Sequence, residues 1–238
     1  MFLKRIQLKH DRIPSFQQYP FSIPSIKNLH ELNLTNKVTF FVGENGTGKS
    51  TLLEAIAAQC GFNTAGGGRN NYYDTPASQS DLGEYIRLSW MPKISNGFFM
   101  RAESFHQFAS HVDEVDATGA YGGRSLHEQS HGESFLSLFL NRFNGRALYL
   151  LDEPEAALSP QRQLTFMRII HDLVTEEDCQ FILATHSPIL LGYPGATILS
   201  FDGGVIQEID YERTDHYQIT KYFLQNRERF LRELLEDE

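Results

Sequence analysis

Short apolar runs alternate with amphipathic ones along the chain, and their periods predict an α/β fold. Stretches 2–8 and 37–42 read as strands, the second almost continuously apolar, as in a sheet covered on both faces. Residues 50–58 read as a helix with Leu52, Leu53, Ile56 and Ala57 on one face. Gly61, Gly66, Gly67, Gly68, Asn70 and Asn71 mark a loop. Strands at 85–90 and 97–101 follow, separated by a turn containing Pro92 and Asn96. A second glycine-rich loop near 118–124 leads into a helix at 133–144. Strand 147–151, helix 160–174 and strand 180–185 then form a β-α-β pattern. A hairpin at 196–209 turns at Asp202, Gly203 and Gly204, and one amphipathic helix spans 215–235. The alternation predicts a layered sandwich whose core strands are mostly parallel.

Composition narrows this only slightly. With 238 residues, 41% hydrophobic and 21% charged, the chain is long enough for a substantial core and unlike a disordered segment. The longest apolar runs, 147–151 and 181–184, are far too short to cross a bilayer, and no export leader is read at the start. Cys60 and Cys179 follow no disulfide or metal spacing, which fits a reduced, cytoplasmic setting. The net charge of −9 is uneven. Residues 1–60 hold seven Lys and Arg against four Asp and Glu, a net of +3, so the remainder carries −12. An acidic chain is a poor nonspecific binder of nucleic acid, although a local basic face could still serve.

The chemistry is concentrated in three places. Gly43, Glu44, Asn45, Gly46, Thr47, Gly48, Lys49 and Ser50 match GxxxxGK[ST] in full, between a predicted strand and a predicted helix. Glycines let the backbone curl into a nest of N–H groups at a helix N-terminus, a natural phosphate site. Lys49 is expected on the β- and γ-phosphates, and the Ser50 hydroxyl on Mg²⁺; Thr51 completes the nucleotide-binding stretch. The apolar run 147–151 ends in Asp152 and Glu153. Asp152 is expected to hold Mg²⁺ through water, and Glu153 to orient or deprotonate the attacking water. Strand 180–185 delivers His186, which a neighbouring parallel strand would bring to the γ-phosphate.

A fourth element completes a resemblance. Gln129, Ser130, His131, Gly132 and Glu133 are similar to the LSGGQ/E signature of ABC-type ATPases, with Glu133 placed 19 residues before Asp152. Residues 152–159 resemble a Walker B motif running into a D-loop, and residues 184–187 an H-switch. Glu133 resembles the SMC, RecF and break-repair branch more than transporters, and the whole resembles the compact stand-alone bacterial group of AAA family ATPases. The resemblance implies a P-loop sandwich of ABC-ATPase type in a single domain, 1–238, with an antiparallel β subdomain and a small helical subdomain near 103–144. It implies ATP and Mg²⁺ as ligands, Glu153, His186 and Lys49 as catalytic residues, and an ATP-dependent head-to-head homodimer. In that dimer Ser130, His131, Gly132 and Glu133 of one copy would cover the nucleotide of the other.

Three positions depart from the pattern. His131 replaces the first signature glycine, Ser159 stands where the D-loop usually has Asp, and no Q-loop glutamine is evident, Glu103 being the candidate there. Phe16, Tyr19 and Phe21 are candidates for stacking on adenine. The expected role is an ATPase serving DNA maintenance or defence, with a separate effector and nucleic acid as candidate partners. Only 79 residues separate Lys49 from Gln129, which excludes a long coiled-coil insertion. The alternatives are the nucleotide-binding subunit of a membrane transporter and an ATP-gated binding module of negligible turnover.

Overall fold

The computed structural model describes residues 1–64, 66–68, 81–102, 131–142 and 145–235, with the backbone alone at 131, 141 and 142. Nine strands form two sheets among these residues. An antiparallel sheet of order β2-β1-β4 joins β1 (Leu3–Leu8), β2 (Glu31–Asn33) and β4 (Ile86–Trp90). The larger sheet runs β5-β6-β7-β3-β8-β9. Its members are β3 (Val38–Val42), β5 (Gly97–Arg101), β6 (Leu148–Asp152), β7 (Gln180–Ala184), β8 (Thr197–Ser200) and β9 (Gln207–Glu208). All its pairings are parallel except the β8–β9 hairpin.

The continuous apolar character of the central strands has a direct cause. Phe40 and Leu183 face one core, packed by Phe135 and Phe139 of helix α4 (His131–Arg142) and by Phe166 and Ile170 of helix α5 (Pro160–Thr175). Phe41 and Ile182 face the other, with Leu52, Leu53 and Ile56 of helix α2 (Lys49–Cys60) and Leu3 and Ile6 of the antiparallel sheet. Burial on both faces leaves no position for a polar alternation. The mostly parallel sandwich with an antiparallel β layer is therefore the fold of this chain.

Two helices are too short for a periodicity signal: α1 (Pro24–Lys27) and α3 (Leu82–Tyr85), the latter taking Tyr85 out of the expected strand 85–90. Helix α6 (Pro188–Leu191) follows β7 in the same way. The C-terminal segment also differs from expectation. It forms two helices, α7 (Asp215–Gln225) and α8 (Arg227–Leu235), instead of one. Asn226 leaves helical geometry at φ −132° and ψ 35°, and its side-chain amide donates to the Tyr222 carbonyl at 3.2 Å. Phe230 then lies against Tyr222 and Phe223, at ring separations of 5.9 and 5.5 Å. Neither helix has a fully buried residue, so the pair sits on the surface of the fold.

One buried side chain joins the two sheets. Gln180, at the start of β7, accepts from the Phe2 and Leu3 N–H groups at 2.8 and 2.9 Å and donates to the Leu3 carbonyl at 2.9 Å. Gln180→Leu would leave these three buried groups without their partner, and each unsatisfied group costs about 1–3 kcal/mol. Urea denaturation is expected to show a loss of about 3 kcal/mol or more; a loss below about 1 kcal/mol would mean that the amide does not join the sheets.

Candidate nucleotide-binding site

The loop after β3 curls through Gly43, Gly46 and Gly48, all at positive φ, into the N-terminus of α2. No side chain caps α2, so its first turn presents backbone N–H donors and a positive dipole end to the loop's concavity. Lys49 is 5% exposed and folds back to donate to the Gly43 and Glu44 carbonyls at 2.5 and 2.9 Å. Burial lowers its pKa from the usual lysine value, while Glu153 and then Asp152 act to raise it. An anionic ligand would relieve the cost of burying that charge.

Asp152 ends β6 and is buried. Its carboxylate accepts from the Ser50 hydroxyl at 3.0 Å and lies 3.3 Å from Arg101 Nε; Arg101 also pairs with Glu54. Parallel register sets Arg101 of β5 directly beside Asp152. Ser50, Arg101, Asp152, Glu153, Ala156 and Ala157 line a cavity of about 190 Å³ at these strand ends. Hydroxyl and carboxylate oxygens suit Mg²⁺, and no cluster of three or more His, Cys, Asp or Glu among the described residues offers a closed metal cage. This donor set fits a cation that takes its remaining ligands from phosphate and water.

Glu153 adopts a left-handed conformation, φ 52°, anchored by its N–H on the Ala184 carbonyl of β7 at 2.9 Å. Its exposed carboxylate lies 3.6 Å from His186 Nε2. His186 in turn donates its backbone N–H to Glu155 Oε1 at 2.6 Å. Burial first, and the Lys49 charge second, lower the His186 pKa, and burial raises that of Glu155. The structure thus brings Lys49, Ser50, Asp152, Glu153 and His186 to one edge of the parallel sheet, an arrangement able to hold a triphosphate, a cation and a water.

Comparisons with known proteins bear on the fold. A family model described as "AAA domain, putative AbiEii toxin, Type IV TA system" matches residues 119–192, and one described as "AAA domain" matches 13–99. A curated relative, "Probable ATP-dependent transporter ycf16" of Cyanidium caldarium, is 24% identical over 216 residues, 78% of this chain and 85% of that protein. The fold is similar to cbiO1 from Clostridium perfringens, part of the ABC transporter complex cbiONQ: 16% identity, 95% and 96% of the two chains, TM-score 0.50. It is also similar to a nucleotide-free ATP-binding cassette from an ABC transporter, at 15% identity, 87% and 91% coverage and TM-score 0.51. The fold is that of an ABC-type ATP-binding cassette.

The remaining candidates fall unevenly. Gln129, Ser130 and Glu103 lie outside the described residues, as does most of the expected helical subdomain; His131 begins α4. Gly132 has a reason within its own chain: a Cβ there would come within 2.3 Å of Arg162 Nη1 and 3.1 Å of the Ala157 carbonyl. Glu133 pairs with the same Arg162 at 3.2 Å. Ser159 caps α5 by accepting from the Arg162 N–H at 3.4 Å. Of the aromatic candidates, Phe21 is buried edge-on against Tyr85, and Phe16 packs near His10. Tyr19 is 59% exposed, with its hydroxyl 3.4 Å from Thr51 Oγ1 beside the phosphate loop.

Sequence reading missed three contributors. Asp202, read as a hairpin-turn residue, accepts from the Glu44 N–H at 2.9 Å, and its carboxylate fills the space where a Cβ on Gly43 would stand. Ser25 of α1 donates to the Thr47 carbonyl and braces the loop from the other side. His216, in the first turn of α7, lies 2.8 Å from His186 Nδ1. No local pattern marks these residues, because each acts across a long sequence separation. Asp202→Ala is expected to weaken ATP binding about tenfold, the loss of one hydrogen bond to a charged acceptor. Asp202→Asn keeps the acceptor and should stay within about threefold; titration with a fluorescent ATP analogue distinguishes them, and equal affinities for the two variants would remove Asp202 from the loop's support.

Proposed function

We propose that this chain hydrolyses ATP with Mg²⁺, and that two copies close head to head around the nucleotide. The convergence of Lys49, the Ser50–Asp152 pair and the Glu153–His186 pair at one sheet edge carries the reading. In this account Lys49 exchanges two backbone carbonyls for the β- and γ-phosphates. Ser50 and Asp152 hold the cation, which when bound neutralises charge on the phosphate oxygens. Arg101, paired with Asp152, would share that carboxylate with a bound cation. Glu153, exposed at the cavity wall, orients the attacking water and accepts its proton, while His186 Nε2 contacts the γ-phosphate. Ser130, His131, Gly132 and Glu133 of a second copy would complete the site at the start of α4. The chain works in this account as one domain in the cytoplasm.

The coupled process proposed is DNA maintenance or defence through a separate effector, with nucleic acid as a candidate partner. Its support is Glu133 at the signature and the toxin-system description of the family model that matches 119–192. The printed names of the curated relatives favour a second reading, an ATP-binding subunit for a transporter. No described helix is long and apolar enough to cross a membrane, so that reading requires a separate permease.

Lys49→Ala is expected to abolish ATP binding, and Glu153→Gln to bind ATP while hydrolysing it at least about 100-fold more slowly. The Glu153→Gln protein with ATP should elute as a dimer in light-scattering chromatography, and wild type without nucleotide as a monomer. Wild-type turnover by Glu153→Gln would remove the base assignment. Stimulation of turnover by DNA supports the first role, and co-purification with a multi-span protein supports the second.

A further inference from the structure

Two histidines from distant parts of the chain share one hydrogen bond. His186 follows β7, and His216 stands in the first turn of α7; His186 Nδ1 and His216 Nε2 are 2.8 Å apart and the rings 5.0 Å. A ring-nitrogen pair at that distance holds one proton between a donor and an acceptor. Burial and the Lys49 charge disfavour a second proton on either ring, so both are neutral above the ordinary histidine range. The direction of the bond then follows from the opposite edge of His186. Its Nε2 is buried, has no hydrogen-bond partner among the described residues, and lies 3.6 Å from the Glu153 carboxylate. If His186 Nδ1 carried the proton, Nε2 would turn a bare lone pair towards an anion. If His216 is the donor, His186 carries its proton on Nε2, facing the Glu153 carboxylate.

We propose that His216 is a positioning residue for the ATPase reaction, donating from Nε2 to His186 Nδ1 and thereby fixing the ring orientation and the Nε2–H tautomer of His186. The assignment rests on the ATPase reading above for its kinetic consequence, but not for the hydrogen bond itself. Glu155 holds the backbone of His186 and His216 holds its ring, so the two contacts together leave the Nε2–H one direction to point. Because Thr214 caps α7 two residues before His216, the ring's position depends on how the C-terminal helices are seated.

The test combines spectroscopy with kinetics on the full chain. Long-range ¹⁵N–¹H correlation spectra at pH 8, without nucleotide, are expected to show His186 protonated on Nε2, with Nδ1 an unprotonated, hydrogen-bonded acceptor. In His216→Phe, which keeps a ring but no donor, the Nδ1 resonance should shift to that of a free acceptor. His216→Phe is also expected to lower kcat about tenfold with KM for ATP within about twofold. His216→Gln, whose amide can donate to the same nitrogen, should recover kcat to within about threefold of wild type. A proton on His186 Nδ1, an unchanged Nδ1 resonance in His216→Phe, or equal kcat for the Phe and Gln variants would each overturn the proposal. Lack of Lys49-dependent hydrolysis in wild type would instead overturn the ATPase reading, while the spectra alone still decide the pairing.

Discussion

Everything at the site depends on the parallel pairing of β3, β7 and β6. Phe41 is opposite Ala184, and Ala184 is opposite Asp152, so the three strands end on one line. The loop 43–48, the Asp152–Glu153 pair and His186 lie at or just beyond those ends. Shifting one strand by a single residue would exchange the side chains it presents to the two cores and displace the groups at its end. The same burial that makes the strands continuously apolar therefore also fixes where these side chains emerge. Carboxyl ends of parallel strands are the common ligand position in open α/β sheets.

Around that line the structure balances charges that are costly to bury. Lys49 is held by carbonyls and by the fields of Glu153 and Asp152, and Asp152 by Ser50 and Arg101. These contacts give each buried charge a partner, and in the proposed function a phosphate or a cation would take the place of some of them. Asp202 and Ser25 belong to a different class: they grip the loop's backbone from outside and leave its concavity open.

Much of this was legible in sequence because it is local. The full GxxxxGK[ST] pattern, the apolar run into Asp152 and Glu153, and the strand before His186 each carry their own context within ten residues. The two-faced core of β3 and β7 was also readable from uninterrupted apolar runs. What escaped was long-range or conformational. Asp202 looks like any acid at a glycine turn, and its partner Glu44 is 158 residues away. His216 has no motif around it, and only the seating of α7 brings it to His186. The break at Asn226 was hidden because both helices keep the same amphipathic period, and a single residue's backbone separates them. Gly132 shows that a glycine in a recognisable motif can also be required by packing against its own chain.

The account's central claim is that one sheet edge holds the triphosphate, the cation and the attacking water. A crystal structure with Mg²⁺ and a nonhydrolysable ATP analogue tests it most directly. The predicted result has Lys49 Nζ moved from the Gly43 and Glu44 carbonyls onto the β- and γ-phosphates. Ser50 and Asp152 then surround the metal, and His186 Nε2 lies within hydrogen-bond distance of the γ-phosphate. A triphosphate bound elsewhere, or a γ-phosphate remote from both Glu153 and His186, would contradict it.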